Sequence, residues 1–229
     1  MTELTDISRL ALHDQVLTRL RTLLIEGRIA PGAKLNEREL TALLQVSRTP
    51  LREAIKLIAT EGLVDLVPNR GAVAVKLTET DILNTFEVLS GLESMAGELA
   101  AQRITEEELA EIRALHFEML ASFTRRDLSN YYRLNAAIHN AINQAARNPV
   151  LTRTYKSINA RVQSLRFRTN QNEIKWKRAM HEHELMIQAL ETHNPGAMRQ
   201  VLLEHLANKC DAVIASLRTG DTKPPLAPI

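Results

Sequence analysis

The sequence predicts a mainly α fold: an N-terminal winged helix-turn-helix unit over residues 1–76, an antiparallel six-helix bundle over 77–218, and a flexible Pro-rich tail at 219–229. Three observations predict it. Residues 35–75 run helix, short turn, second helix opening on Arg, then two short β-branched runs. Beyond residue 77 the chain is one amphipathic segment after another, with few glycines and no strand-like run. Most of these segments open on a residue that can cap a helix.

In the first unit, Leu12, Val16, Leu17, Leu20, Leu23 and Leu24 place a helix that ends near Gly27. Asn36 is a good N-cap, with Glu39 three residues on as in a capping box. Leu40, Leu43 and Leu44 give that short helix one apolar face, and Gln45-Val46 makes the turn. Ser47 is placed to cap the next helix, which tolerates Pro50 in its first turn. Leu51, Ile55, Ile58 and Leu63 bury one side of it, leaving Arg48, Thr49 and Arg52 at its start or opposite. A recognition helix meets base edges and phosphates with its N-terminal residues, and Arg can pair bidentately with guanine. Residues 63–67 and 72–75 read as two strands. The turn Pro68-Asn69-Arg70-Gly71 between them carries one cation at its tip, suited to a phosphate or a minor groove.

In the second unit, Thr78 with Asp81 opens a helix over about 79–102 whose inward face holds Ile82, Phe86, Leu89, Leu92, Ala96 and Leu99. Thr105 with Glu108 opens the next (106–125), and Asp127 the third (128–146). Asn148-Pro149 and Asn194-Pro195 repeat one start signal, an N-cap followed by Pro at the first helical position, for helices over 149–168 and 195–217. Polar residues 169–173 break the pattern before a helix over 174–193. Long amphipathic helices on short connections imply an antiparallel bundle.

Composition excludes several classes. With 45% apolar and 24% charged residues the chain reads as a globular protein, and no apolar run is long enough for a membrane span. The single Cys210 forms no intrachain disulfide and reads as a small packing residue; with no signal sequence at the N-terminus, a cytoplasmic setting is expected. Residues 1–76 hold 11 Lys and Arg against 9 Asp and Glu, and the remainder holds 18 of each. The positive charge is therefore local to the reading head, which suits sequence-specific binding better than bulk wrapping of nucleic acid. There is no phosphate-binding Gly-rich loop, no His-Glu-x-x-His pair and no Gly-x-Ser-x-Gly elbow, so an enzyme is not expected.

Of seven histidines, three fall on inward stripes. His139 shares its face with Leu134, Asn135, Ile138 and Ile142, His183 aligns with Ile187 and Leu190, and His205 lies between Leu202 and Leu206. An inward His is more often a satisfied core residue than a ligand. Three together, with the amide of Asn135, suggest a metal site built from facing helices, as bundles commonly make. The expected ion is a divalent transition metal, zinc first, with nickel, manganese or iron as alternatives. His181, two residues from His183, faces solvent, and His13, His116 and His193 read as packing or surface residues. Glu182 and Glu184 flank His183 and are expected to point elsewhere. An effector carboxylate would seek the metal or a guanidinium, which makes Arg133, Arg161, Arg166 and Arg168 on the middle helices candidate contacts.

The segment PGAKLNERELTALLQVSRTPLREAIKLIATEGLV followed by PNRGAVAV closely resembles the DNA-binding domain of the GntR family of bacterial transcription factors, from about Asp14 to Val75. In that family, residues matching Arg38, Arg48, Thr49, Arg52 and Gly71 contact the operator; Ser47 and Arg70 are added here. The helical unit resembles that of the FadR subfamily, and six helices rather than seven suggest its VanR-like branch. Relatives carry Asp-x-x-x-His and then one His on each of the last two helices; RLNAAIHNAI, HEHELMIQAL and LLEHL match, with Asn135 where Asp is usual. They often carry Glu-x-Arg on the first bundle helix, where this chain has Glu87-Val88-Leu89. The resemblance implies a ligand-responsive regulator, a repressor, binding double-stranded operator DNA as a homodimer under control of a small carboxylate. Two alternatives stand beside it: a constitutive DNA binder with a structural metal only, and a metal-dependent enzyme fused to a DNA-binding head.

Overall fold

The computed structural model of the protein describes residues 2–169 and 173–219. The middle of the polar break, 170–172, and the tail after Thr219 lie outside them. Two compact units divide the chain, one ending at Leu77 and one starting at Thr78.

The first unit holds α1 (Thr2–Ile25), α2 (Glu37–Leu44), α3 (Arg48–Thr60), β1 (Val64–Val67) and β2 (Gly71–Ala74). Asn36 caps α2 by accepting from the Arg38 backbone N–H at 3.1 Å, and its side-chain amide donates to Glu39 at 2.7 Å. Gln45 takes the left-handed conformation (φ 55°) that ends α2 and turns the chain into α3. Ser47 holds the N-cap position of α3 but makes no side-chain capping bond, so that expectation is corrected. Val16, Leu20, Leu23, Leu51, Ile55 and Ile58 close the core between α1 and α3. β1 and β2 pair antiparallel, Val64 opposite Ala74 and Val67 opposite Gly71, with Asn69 (φ 60°) and Gly71 (φ 78°) turning the hairpin. Lys34 bridges to Val73 on the other edge of β2, tying the chain before α2 to the wing.

The second unit is the six-helix bundle: α4 (Glu79–Arg103), α5 (Glu106–Thr124), α6 (Leu128–Ala145), α7 (Pro149–Thr169), α8 (Glu173–Glu191) and α9 (Pro195–Thr219). The caps read from sequence are formed. Thr78–Asp81 and Thr105–Glu108 are reciprocal boxes, and Asp127, Asn148 and Asn194 accept from backbone N–H groups three residues on. Arg126, Arg147 and His193 adopt positive φ where α5, α6 and α8 end. The His193 ring is held there by the Ala101 carbonyl, 2.8 Å from Nδ1. α4 packs along α9, α7 and α6, while α5 pairs with α6 and α8 with α9. Ile112, Met119, Tyr131, Leu134, Ile138, Leu190 and Leu202 are among the residues that fill the space between them. No helix is long and apolar enough to cross a membrane among the described residues.

Gly97 explains how closely α4 and α9 approach. A Cβ there would lie 2.2 Å from Leu202 Cδ1 and 2.9 Å from Met198 Cγ, both side chains being fully buried. Gly97→Ala is expected to cost about 1–3 kcal/mol by overpacking, which outweighs the few tenths to ~1 kcal/mol that Ala adds in helix propensity. A lower urea midpoint at unchanged slope checks it; a midpoint at or above wild type would show that the two helices yield freely.

Candidate nucleic-acid interface and metal centre

Arg48 starts α3, and Arg52 stands one turn later, exposed where Leu51 and Ile55 are buried. Ser47, Arg48, Thr49 and Arg52 are all exposed, as are Arg38 on α2 and Arg70 and Gly71 at the wing tip. A cleft of ≈ 770 Å³ between the start of α3 and the wing is walled in part by Arg38, Arg48, Arg52, Arg70, Gly71 and Lys34. Five of the seven expected contacts thus share one concave face, while Ser47 and Thr49 sit outside its lining. Lys34 was not foreseen. It lies before the first helix of the motif, and only the bridge to Val73 brings it to the wing. Arg52 is not free in this face: its Nε donates to both oxygens of Glu37, at 3.0 and 2.9 Å.

The second site lies inside the bundle. His139 on α6, His183 on α8 and His205 on α9 are 1–2% exposed, and each offers a ring nitrogen within 4.8 Å of the others. Their ring centroids are 5.2–5.4 Å apart. His139 Nε2, both nitrogens of His183 and His205 Nε2 are buried without a hydrogen-bond partner among the described residues. Such orphans are rare in folded proteins and point to a missing water, ion or ligand. Zinc bonds imidazole nitrogen at ~2.0–2.1 Å, which holds two such atoms about 3.4 Å apart, so small ring rotations would close the gap. Asn135, one turn before His139, is also buried.

Two carboxylates border the cluster. Glu93 on α4, 1% exposed, brings Oε2 to 2.6 Å from His139 Nδ1, out of line with a good hydrogen bond. Its other oxygen is 3.4 Å from Arg166 Nη1, which also donates to Asn159 Oδ1 at 2.7 Å. Burial works to raise the Glu93 carboxyl, but His139 and the Arg166 guanidinium outweigh it and hold it down at about 2. Glu182 accepts from His205 Nδ1 at 2.7 Å, contrary to the expectation that it points away. Burial pushes His183 well below its ordinary value and takes His205 down to about 4 against the upward pull of Glu182. These two rings are therefore neutral near pH 7, the form in which imidazole ligates a metal.

Other expectations separate in the structure. Arg133 is exposed and held by Asn130, and Arg161 is exposed, so neither is buried with the histidines. Arg166 is buried at the cluster, and the side chain of Arg168 lies outside the described residues. His116, read as packing or surface, is buried and stacked on His183 with centroids 6.3 Å apart. His181 is exposed, as read. Glu93 went unnoticed although a signal existed: Phe86, Leu89, Glu93, Ala96 and Ala100 form one inward stripe at helical spacing, with a carboxylate in its middle.

Comparison with known proteins assigns both units to known families. Residues 12–73 match the family described as bacterial regulatory proteins, gntR family, and residues 84–208 match the FCD domain. The Nta operon transcriptional regulator of Aminobacter aminovorans is 31% identical over 196 residues, 84% of this chain and 90% of that protein. The gluconate operon transcriptional repressor of Bacillus licheniformis is 26% identical over 90% of this chain and 85% of its own length. Among solved structures, E. coli McbR/YncC superposes with a TM-score of 0.80 at 21% identity, over 90% of this chain and 98% of that one. A GntR transcriptional regulator from Rhodococcus sp. RHA1 gives 0.74 at 20%, over 89% and 98%.

Proposed function

The chain belongs to the GntR family of bacterial transcription regulators, in the FadR-like group with an FCD domain, and from that premise we propose that it is an operator-binding repressor controlled by a small carboxylate held at a divalent metal on His139, His183 and His205. Its family and relatives are regulators, not enzymes. The observation that carries the finer reading is the convergence of three buried imidazoles whose inward nitrogens have no hydrogen-bond partner among the described residues.

At the DNA end, Arg48 and Arg52 are the base-reading side chains, with Thr49 beside them at the start of α3. Arg38, Ser47 and Arg70 position the head on phosphates, and Gly71 lets the wing backbone approach closely. Two heads in a homodimer would read a pseudo-palindromic operator.

At the other end, Asn135 offers a neutral amide oxygen one turn before His139 as a fourth donor. A bound divalent metal supplies a Lewis-acidic position for an effector oxygen. Arg166 is already matched by Glu93, so the metal rather than a guanidinium is the seat for an incoming carboxylate. That a relative is named for the gluconate operon, gluconate being a small hydroxy acid, supports this class. Control requires that metal and acid together bind one arrangement of the two heads better than another.

The test is a titration of the protein against a duplex selected by it from a random pool, at fixed salt. It is run metal-free, with zinc, and with zinc plus acetate, gluconate or citrate. Zinc with one of these acids is expected to change operator affinity by about 5- to 150-fold. Saturating zinc and acids that leave affinity unchanged would favour the other reading, a constitutive binder whose metal is structural.

A further inference from the structure

The three histidines are not held alike. His205 Nδ1 is 2.7 Å from Glu182 Oε2 and meets it in hydrogen-bonding geometry, whereas Glu93 approaches His139 off line and His183 has no hydrogen-bond partner on either nitrogen among the described residues. Asn208 and Arg178 both donate to the carboxyl of Glu182, so it stands as an acceptor in this network. A carboxylate can only accept. The proton at this contact therefore sits on His205 Nδ1, and Nε2 is the ring nitrogen left, buried without a partner among the described residues. Glu182 is itself held: its other oxygen accepts from Asn208 Nδ2 at 2.7 Å and from Arg178 Nε at 3.1 Å.

The placement adds to this. α8 carries Glu182 and His183 side by side, so one turn of helix supplies a member of the cluster and the group that orients another. Glu182, His205, Asn208 and Arg178 also wall a cleft of ≈ 240 Å³ between α8 and α9. The back of the His205 ring thus meets the protein surface through Glu182, and its front faces the cluster.

We propose that Glu182 is a positioning residue for the metal centre: it fixes His205 as the Nδ1–H tautomer and turns Nε2 to the ion, with Asn208 and Arg178 holding it in place. The inference rests on the metal reading above. A second carboxylate behind a ligating imidazole raises its basicity and locks its orientation, and losing such a partner typically weakens metal binding 10- to 100-fold.

The experiment uses the full-length protein and Glu182→Gln, which keeps the shape of the side chain and removes the charge. Zinc affinity is read by competition with a chromophoric chelator, and the His205 tautomer by nitrogen-15 NMR of the metal-free protein. In the wild type the unprotonated nitrogen should be Nε2. In the variant the proton should be shared between the two nitrogens or moved, and zinc should bind about 10- to 100-fold more weakly. Glu182→Asp, one methylene short of the contact, keeps the charge and should also bind zinc less tightly; it decides the matter if the Gln variant does not fold. Wild-type zinc affinity and tautomer in these variants overturn the proposal and leave the metal reading intact. A wild type that takes up no zinc overturns both.

Discussion

Saturating the metal-free protein with zinc is expected to raise the unfolding midpoint of the helical unit by about 8–16 °C, and His183→Leu is expected to abolish that rise. An ion that binds only the folded state at a free concentration of ~1,000 times Kd stabilises it by about 4 kcal/mol. For a unit of this size each kcal/mol is worth roughly 2–4 °C. His183 is the informative position because both of its nitrogens are buried without hydrogen-bond partners among the described residues. Desolvation without compensation costs about 1–3 kcal/mol, so in the metal-free state an apolar side chain of similar size loses little. The histidine would then be costly alone and stabilising only with the ion. Calorimetry of wild type and variant, each with zinc and with chelator, separates the cases. A wild-type midpoint indifferent to zinc would reduce the cluster to packing; a variant that still responds would place the ion elsewhere.

Arg48→Ala is expected to lower affinity for the selected operator roughly 30-fold to over 10,000-fold. One bidentate Arg–guanine pair discriminates by about 1–3 kcal/mol, and the proposed dimer on two half-sites would lose it twice, about 2–6 kcal/mol. The exposed Arg48 holds the first position of α3 and shares its cleft with Arg38, Arg52 and Arg70. Its loss should weaken the selected duplex far more than an unselected one, since a phosphate contact alone weakens both equally. Fluorescence anisotropy with both duplexes at one salt concentration reads the difference. Equal losses would assign Arg48 to the backbone and leave base reading to Arg52, which must first exchange Glu37 for DNA.

Most of the fold was legible because most of its signals are local. Each cap is a bond between residues three apart, so Thr78–Asp81, Thr105–Glu108, Asn148 and Asn194 could be placed from spacing and are found in place. The inward stripes of α6, α8 and α9 likewise follow from helical period, which put His139, His183 and His205 inside before any contact was known. Ser47 is the exception: the residue type and position suit a cap, yet its hydroxyl makes no such bond.

The sequence by itself determined the order of elements, the reading head with its exposed arginines, and which three imidazoles turn inward. Those properties depend on neighbours within one or two helical turns. Only the tertiary structure decided what the imidazoles meet. Glu93 and His139 are 46 positions apart, and Glu182 bonds a ring 23 positions away on another helix. It likewise decided that Arg133 and Arg161 are exposed while Arg166 is buried with a matching carboxylate, and that Lys34 joins the wing. A helical stripe says that a side chain points into the bundle. Which partner it finds there depends on how far one helix slides along the next, and here that is settled by close approaches such as Gly97 against Met198 and Leu202.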